Sequence, residues 1–181
     1  MDKRYWSSRI RELVPYTPGE QPKDRVFVKL NTNENPYPPS PRALEAIRDA
    51  CGEGLRLYPD PEASGLRRAI AEYHGLSPEQ VFCGNGSDEV LGFSFLAFAD
   101  GAHPVTFPAV SYGFYRVFAN LFRVPTNAVP LREDFTVPVE PFLGTGGMVV
   151  LANPNAPTGI ALPLAEVERI VRANPDHIVL V

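Results

Sequence analysis

Gly84-Asn85-Gly86-Ser87-Asp88-Glu89 stands where a short apolar run, Val81-Phe82-Cys83, gives way to a helical pattern. Glycine permits a sharp turn there. The first N–H groups of the helix that follows, at the positive end of its dipole, suit a phosphate, and Ser87 adds a hydroxyl donor. The dinucleotide fingerprint is incomplete, because its third glycine position is Glu89, and the Gly-Lys-Ser/Thr of a P-loop is missing. Capping by Ser87, with Asp88 and Glu89 complementing the dipole, explains the same residues. Taken alone, this motif ranks the cap ahead of the anion site.

A second polar loop, Asn153-Pro154-Asn155-Ala156-Pro157-Thr158-Gly159, follows the buried strand expected over Met148 to Leu151. Ligands of open α/β sheets bind beyond the carboxyl ends of strands, which favours a functional loop over a plain turn. Asn31-Thr32-Asn33-Glu34-Asn35-Pro36-Tyr37-Pro38-Pro39 is polar yet rigid, with no glycine. Tyr112, Phe114 and Tyr115, after Ser111, offer an aromatic platform, although core packing is the commoner fate of such residues. His74, His103 and His177 form no zinc spacing, and no Gly-x-Ser-x-Gly elbow supports serine hydrolase chemistry. No metal site is expected.

The elements that must position these residues follow from periodicity. The stretch from Tyr16 to Ser40 reads as an extended arm with one short strand, Val26 to Leu30. Helices are expected at Pro41 to Ala50 and at Leu66 to His74, the second stopped by Gly75. From Val81 onward strands and helices alternate. Strands are expected at Val81–Cys83, Pro104–Phe107, Phe122–Pro125, Met148–Leu151 and Ile178–Val181, and helices at Asp88–Ala99, Tyr112–Leu121 and Leu164–Ala173. Such alternation implies an α/β fold with a parallel-rich sheet covered on both faces.

Composition narrows the function classes. With 44% hydrophobic and 21% charged residues in 181, the chain is globular in type. A net charge of −4 without like-charge blocks gives no electrostatic support to nucleic-acid or membrane-surface binding. The amino terminus lacks a signal-peptide core, and the most apolar run, Val90 to Ala99, is about half a membrane span. Cys51 and Cys83 make no disulfide framework. A cytoplasmic protein is the expectation. Two further features are the 20 prolines and the presence of only three lysines, Lys3, Lys23 and Lys29.

Four segments together resemble the histidinol-phosphate aminotransferases, pyridoxal-phosphate enzymes of fold type I. They are Lys29 to Ser40, Leu57-Tyr58-Pro59-Asp60, Gly84 to Glu89 and Asn153 to Gly159, in the family's order and rough spacing. The resemblance implies that Gly86, Ser87 and Asp88 hold the cofactor phosphate through backbone N–H groups and the Ser87 hydroxyl. It implies that Tyr112 stacks on the pyridine ring, and that Tyr58 reaches across a homodimer interface to the partner's cofactor phosphate. Tyr16, Asn31 and Asn33 would lie over the substrate. The family usually has Asn just before Pro-Thr-Gly, bonding the cofactor's phenolic oxygen; here that position is Ala156, leaving Asn155 for the role. The implied reaction is transamination between histidinol phosphate and glutamate/2-oxoglutarate in histidine biosynthesis. The implied layout is an arm with part of a small domain over residues 1–75, and the amino-terminal part of the large cofactor domain over residues 76–181.

The family's Schiff-base lysine has no match here, since all three lysines precede the phosphate turn. The chain stops in Ile178-Val179-Leu180-Val181, where the family continues into an Asp-Glu-Ala-Tyr run carrying the ring-nitrogen Asp. The expectation is an amino-terminal fragment, poorly stable and inactive alone, of an enzyme completed by a longer chain. The alternatives are an aromatic or other aminotransferase of the family, a related pyridoxal-phosphate decarboxylase, and a non-catalytic truncated relic.

Overall fold

In the computed structural model, residues 3–11, 13, 24, 28 and 34–181 are described. Of the expected strand Val26–Leu30 only Val28 is among them, and the candidate residues Tyr16, Asn31 and Asn33 lie outside. The chain divides into two compact units, Thr17–Cys83 and Met1–Tyr16 with Gly84–Val181. In the second of these lies the short α1 (Ser8–Arg11). The first is built on two helices, α2 (Pro41–Ala50) and α3 (Ser64–His74). Ser40 starts α2: its hydroxyl accepts from Ala43 N at 3.2 Å, and Pro41 fills the first helical position, where no N–H is needed. Asp60 organises the approach to α3. One carboxylate oxygen accepts from Glu62 N at 3.0 Å and the other from Ser64 N at 2.7 Å. Gly75, at φ +66°, ends α3 in the left-handed conformation that glycine reaches without strain.

Within the same unit, Arg67 on α3 ties down the segment that follows. Its guanidinium donates to Pro78 O at 2.8 Å and to Val81 O at 2.9 Å, and pairs with Glu62 at 3.4 Å. Val81 is extended, yet Val81–Cys83 pairs with no strand among the described residues. The expected strand is therefore absent, because an extended backbone becomes a strand only when a neighbour takes up its N–H and C=O groups.

The other unit carries a four-stranded parallel sheet in the order β2-β1-β3-β4. The strands are β1 (Val105–Pro108), β2 (Thr126–Val129), β3 (Met148–Val150) and β4 (Val179–Leu180). They alternate with α4 (Ser87–Phe98), α5 (Phe114–Phe122) and α6 (Leu164–Ala173). Two expectations shift. The strand read at Phe122–Pro125 lies instead at Thr126–Val129, since α5 runs through Phe122 and ends with Arg123 at φ +57°. The helix read from Tyr112 starts at Phe114, which leaves Tyr112 in the loop after β1.

Side chains of β3 alternate between two cores. Met148 and Val150 pack with Phe107, Leu91 and Phe95 of α4, and Tyr115 and Ala119 of α5. Val149 and Leu151 pack with Ile170 of α6 and with Val129, Val137, Val139 and Phe142. Period-2 alternation thus puts α4 and α5 on one face of the sheet and α6 on the other. From β1 the chain moves out to β2, then returns to β3 on β1's other side. The loops after β1 and β3 therefore diverge, and a crevice opens between them at the carboxyl ends of the strands.

Candidate functional site

Three segments of this one unit supply the candidate residues: the turn into α4, the loop after β1 and the loop after β3. The turn is shaped by two glycines with different reasons to be there. A Cβ on Gly84 would sit 2.8 Å from the Val90 side chain and 3.3 Å from the Glu89 carboxylate, so the backbone passes too close to α4 for a larger residue. Gly86 caps the helix at φ +85°, a conformation that costs any other L-residue. Gly86 N donates to Gly84 O at 3.0 Å, and Glu89 reaches back to accept from Asn85 N at 2.5 Å. That arrangement aims the Glu89 carboxylate at the turn's backbone. The N–H groups of Ser87 and Asp88, in the first turn of α4, have no partner within the helix, and Ser87 is exposed. This donor set, backbone amides plus a hydroxyl at a positive dipole end, fits a phosphate.

The loop after β1 contributes Tyr112. Its hydroxyl donates to Asp88 Oδ1 at 2.8 Å, and its ring stacks on Phe114 at 5.6 Å between centroids while meeting Tyr115 edge-on at 5.7 Å. Tyr115 itself is buried, and burial pushes its phenol above the usual value, with a Ser111 hydrogen bond opposing.

The loop after β3 is organised by Asn155, which is 1% exposed. Ser111 Oγ donates to Asn155 Oδ1 at 2.8 Å, while Asn155 Nδ2 donates to Val110 O at 3.0 Å and to Thr158 Oγ1 at 3.3 Å. Its backbone closes the loop as well, through Asn155 N to Ile160 O at 2.9 Å and Gly159 N to Asn155 O at 2.7 Å. One buried amide therefore braces the loop after β3 against the loop after β1, across the crevice. Asn153 pins the loop's outer end to Leu162 through both its amide atoms.

The structure thus brings Gly86, Ser87, Asp88 and Tyr112 together and sets Asn155 against Ser111. Tyr58 belongs to the other unit, where it is fully exposed at 101% beside the exposed Leu55 and Leu57. Two participants escaped sequence reasoning: Ser111 as the hydrogen-bond partner of Asn155, and the Asp88 side chain as the acceptor for Tyr112. Their partners are 44 and 24 residues away, distances at which no local pattern speaks. Among the described residues no group of three His, Cys, Asp or Glu could hold a metal ion, and no helix is long and apolar enough to cross a membrane.

Residues 25–181 match the family described as aminotransferase class I and II. The chain is 56% identical to histidinol-phosphate aminotransferase 1 of Burkholderia pseudomallei, over 98% of this chain and 51% of that protein. It is 54% identical to the histidinol-phosphate aminotransferase of Acetobacter pasteurianus, over 98% and 50%. Among solved structures, the histidinol-phosphate aminotransferase of Sinorhizobium meliloti, in complex with pyridoxal-5'-phosphate, is similar at a TM-score of 0.68 and 32% identity, covering 78% of this chain and 40% of that one. The N-succinyldiaminopimelate aminotransferase of Mycobacterium tuberculosis matches at TM-score 0.68 but 24% identity, over 77% and 41%, and speaks for the fold alone. The chain spans about half the length of the curated relatives it matches.

Proposed function

This chain belongs to the class I and II aminotransferase family, and we propose that the protein carrying it transfers an amino group between histidinol phosphate and glutamate/2-oxoglutarate with pyridoxal 5'-phosphate as cofactor. One observation carries the reading: a phosphate-fitting helix terminus, an aromatic ring and a braced polar loop converge at the carboxyl end of a parallel sheet. The identity with histidinol-phosphate aminotransferases along nearly the whole chain supports the choice of substrate.

Pyridoxal phosphate, when bound, supplies an electron sink for the charge left as the substrate's α-proton departs. The residues of this chain bind and orient. The N–H groups of Ser87 and Asp88 with the Ser87 hydroxyl would hold the phosphate, with Gly86 shaping the turn and its own N–H given to Gly84 O, and Tyr112 would present its ring to the pyridine. Asn155 has both Nδ2 protons committed, so a bond to the cofactor's phenolic oxygen requires it to release the longer one, to Thr158. The family resemblance assigns Tyr16, Asn31 and Asn33 to the substrate. The protein works in the cytoplasm as a homodimer, and the exposed run Leu55-Arg56-Leu57-Tyr58 supports an interface through which Tyr58 reaches the partner's cofactor phosphate. In domain terms the family resemblance assigns residues 1–75 to the arm and part of the small domain and residues 76–181 to the start of the large one, whereas the compact units part at Cys83 and group Met1–Tyr16 with the later residues.

The test is the specificity of the full-length protein. With 2-oxoglutarate as acceptor, kcat/KM for histidinol phosphate exceeds that for phenylalanine; the reverse order would assign the protein to the aromatic aminotransferases instead.

A further inference from the structure

We propose that Asp88 is a positioning residue which, through its side chain, sets the orientation of the Tyr112 ring, making the phosphate turn and the ring platform one coupled unit. The proposal rests on the reading of Tyr112 as the cofactor's stacking partner. The Tyr112 hydroxyl donates to Asp88 Oδ1 at 2.8 Å, and both groups are partly buried. Tyr112 precedes α5, where its carbonyl accepts from Tyr115 N at 3.3 Å, which holds the backbone but not the far end of the side chain. Phe114 stacks on the ring and Tyr115 meets it edge to face, contacts that are less directional than a hydrogen bond. The hydroxyl is the ring's polar handle, and Asp88 holds it.

The residue type supports the same conclusion. A carboxylate in the first turn of α4 complements the helix dipole, but it also stands beside a site suited to a dianion, where like charge is unfavourable. Asparagine would avoid that repulsion, at the cost of the interaction with the dipole. What a carboxylate adds is a charge-assisted acceptor for a phenol, shorter and stronger than a neutral one. The neighbouring acid is committed in a comparable way, since Glu89 accepts from Asn85 N. Each acidic side chain at this terminus thus has a structural partner. Asp88 alone links two segments, with its backbone N–H in the phosphate turn and its carboxylate on the aromatic ring.

A double-mutant cycle in the full-length protein tests this. Tyr112→Phe, Asp88→Ala and the double variant are titrated as apoproteins with pyridoxal phosphate, and the induced circular dichroism of the bound cofactor reports its orientation. Each single variant is expected to weaken binding about tenfold, the scale of a lost charge-assisted hydrogen bond. Both should change the dichroism in the same sense. In the Tyr112→Phe background, Asp88→Ala should add less than about twofold, because the shared bond is already gone. Asp88→Asn, which keeps an acceptor, should retain the wild-type dichroism. Equal losses from Asp88→Ala in both backgrounds, or an unchanged dichroism in Tyr112→Phe, would overturn the coupling while leaving Tyr112 as the stacking ring. A Tyr112→Leu variant with unaltered affinity and dichroism would instead overturn the stacking reading, and the coupling with it.

Discussion

The buried amide of Asn155 satisfies its hydrogen-bonding capacity entirely within the protein, and that makes it sensitive to single-atom changes. Ser111→Ala strips the donor from Asn155 Oδ1 and leaves a buried acceptor unpaired, which costs about 1–3 kcal/mol. Asn155→Ala removes the brace altogether and orphans Val110 O, so it should cost at least as much. Urea denaturation of the full-length variants measures both, and a loss within error for Ser111→Ala would mean that the loops are held by something else. Gly86→Ala forces a Cβ into φ +85° and should destabilise by about 1–2 kcal/mol while weakening phosphate binding at the turn. At this scale the sequence displayed residue types but not partnerships. Glycine, serine and a loop asparagine advertise turns and anion sites by chemistry alone. That Ser111 meets Asn155, or Tyr112 meets Asp88, depends on how β1 and β3 are laid side by side.

Helix starts show what local chemistry can and cannot reveal. Ser40 and Pro41 mark the start of α2, and Ser40→Ala should cost about 1 kcal/mol by removing the acceptor for Ala43 N. Helices α2 and α6 match the periodic pattern from first residue to last; in α2 the Ser40 cap and the apolar stripe agree, and in α6, which has no side-chain cap, the stripe that buries Val167 and Ile170 sets the bounds. The edge strand β2 was misplaced for a physical reason. Its Thr126 and Asn127 face water, while the apolar Phe122 and Val124 that suggested a strand finish α5 and fill the core beside it. Asp60 adds a pH dependence. Backbone N–H groups, Glu62's first and then Ser64's, hold its carboxyl below the usual 3.8. The folded group titrates lower than the unfolded one. Its stabilising contribution is therefore complete above that ordinary value and fades as the pH falls through the lowered one. Asp60→Asn should be less stable than wild type at neutral pH, with the gap narrowing in acid; a gap independent of pH would assign Asp60 no such role.

Across the whole chain, the α/β class and the order of helices were legible from alternation, whereas sheet order was not, because nothing in a strand's own residues names its neighbour. Apolar surface is the most consequential property at this scale. Helix α4 buries Leu91 and Phe95 yet leaves Leu96 63% exposed, with Phe98 also exposed. Residues 1–181 expressed by themselves should bind an apolar dye strongly and show no transaminase turnover, since no lysine follows the phosphate turn. Turnover by residues 1–181 would sink that prediction. The opposite flank of the sheet behaves differently. In β2, the carbonyls of Pro125 and Val129 accept from Val105 and Ala109, so the alternate residues Thr126, Ala128 and Pro130 direct their backbone away from β1. Pro130 has no N–H, which reduces the outward donors along this edge to those of Thr126 and Ala128. Fewer outward donors make this margin a poorer template for a further strand than a complete edge would be, which lowers its tendency to fibre growth.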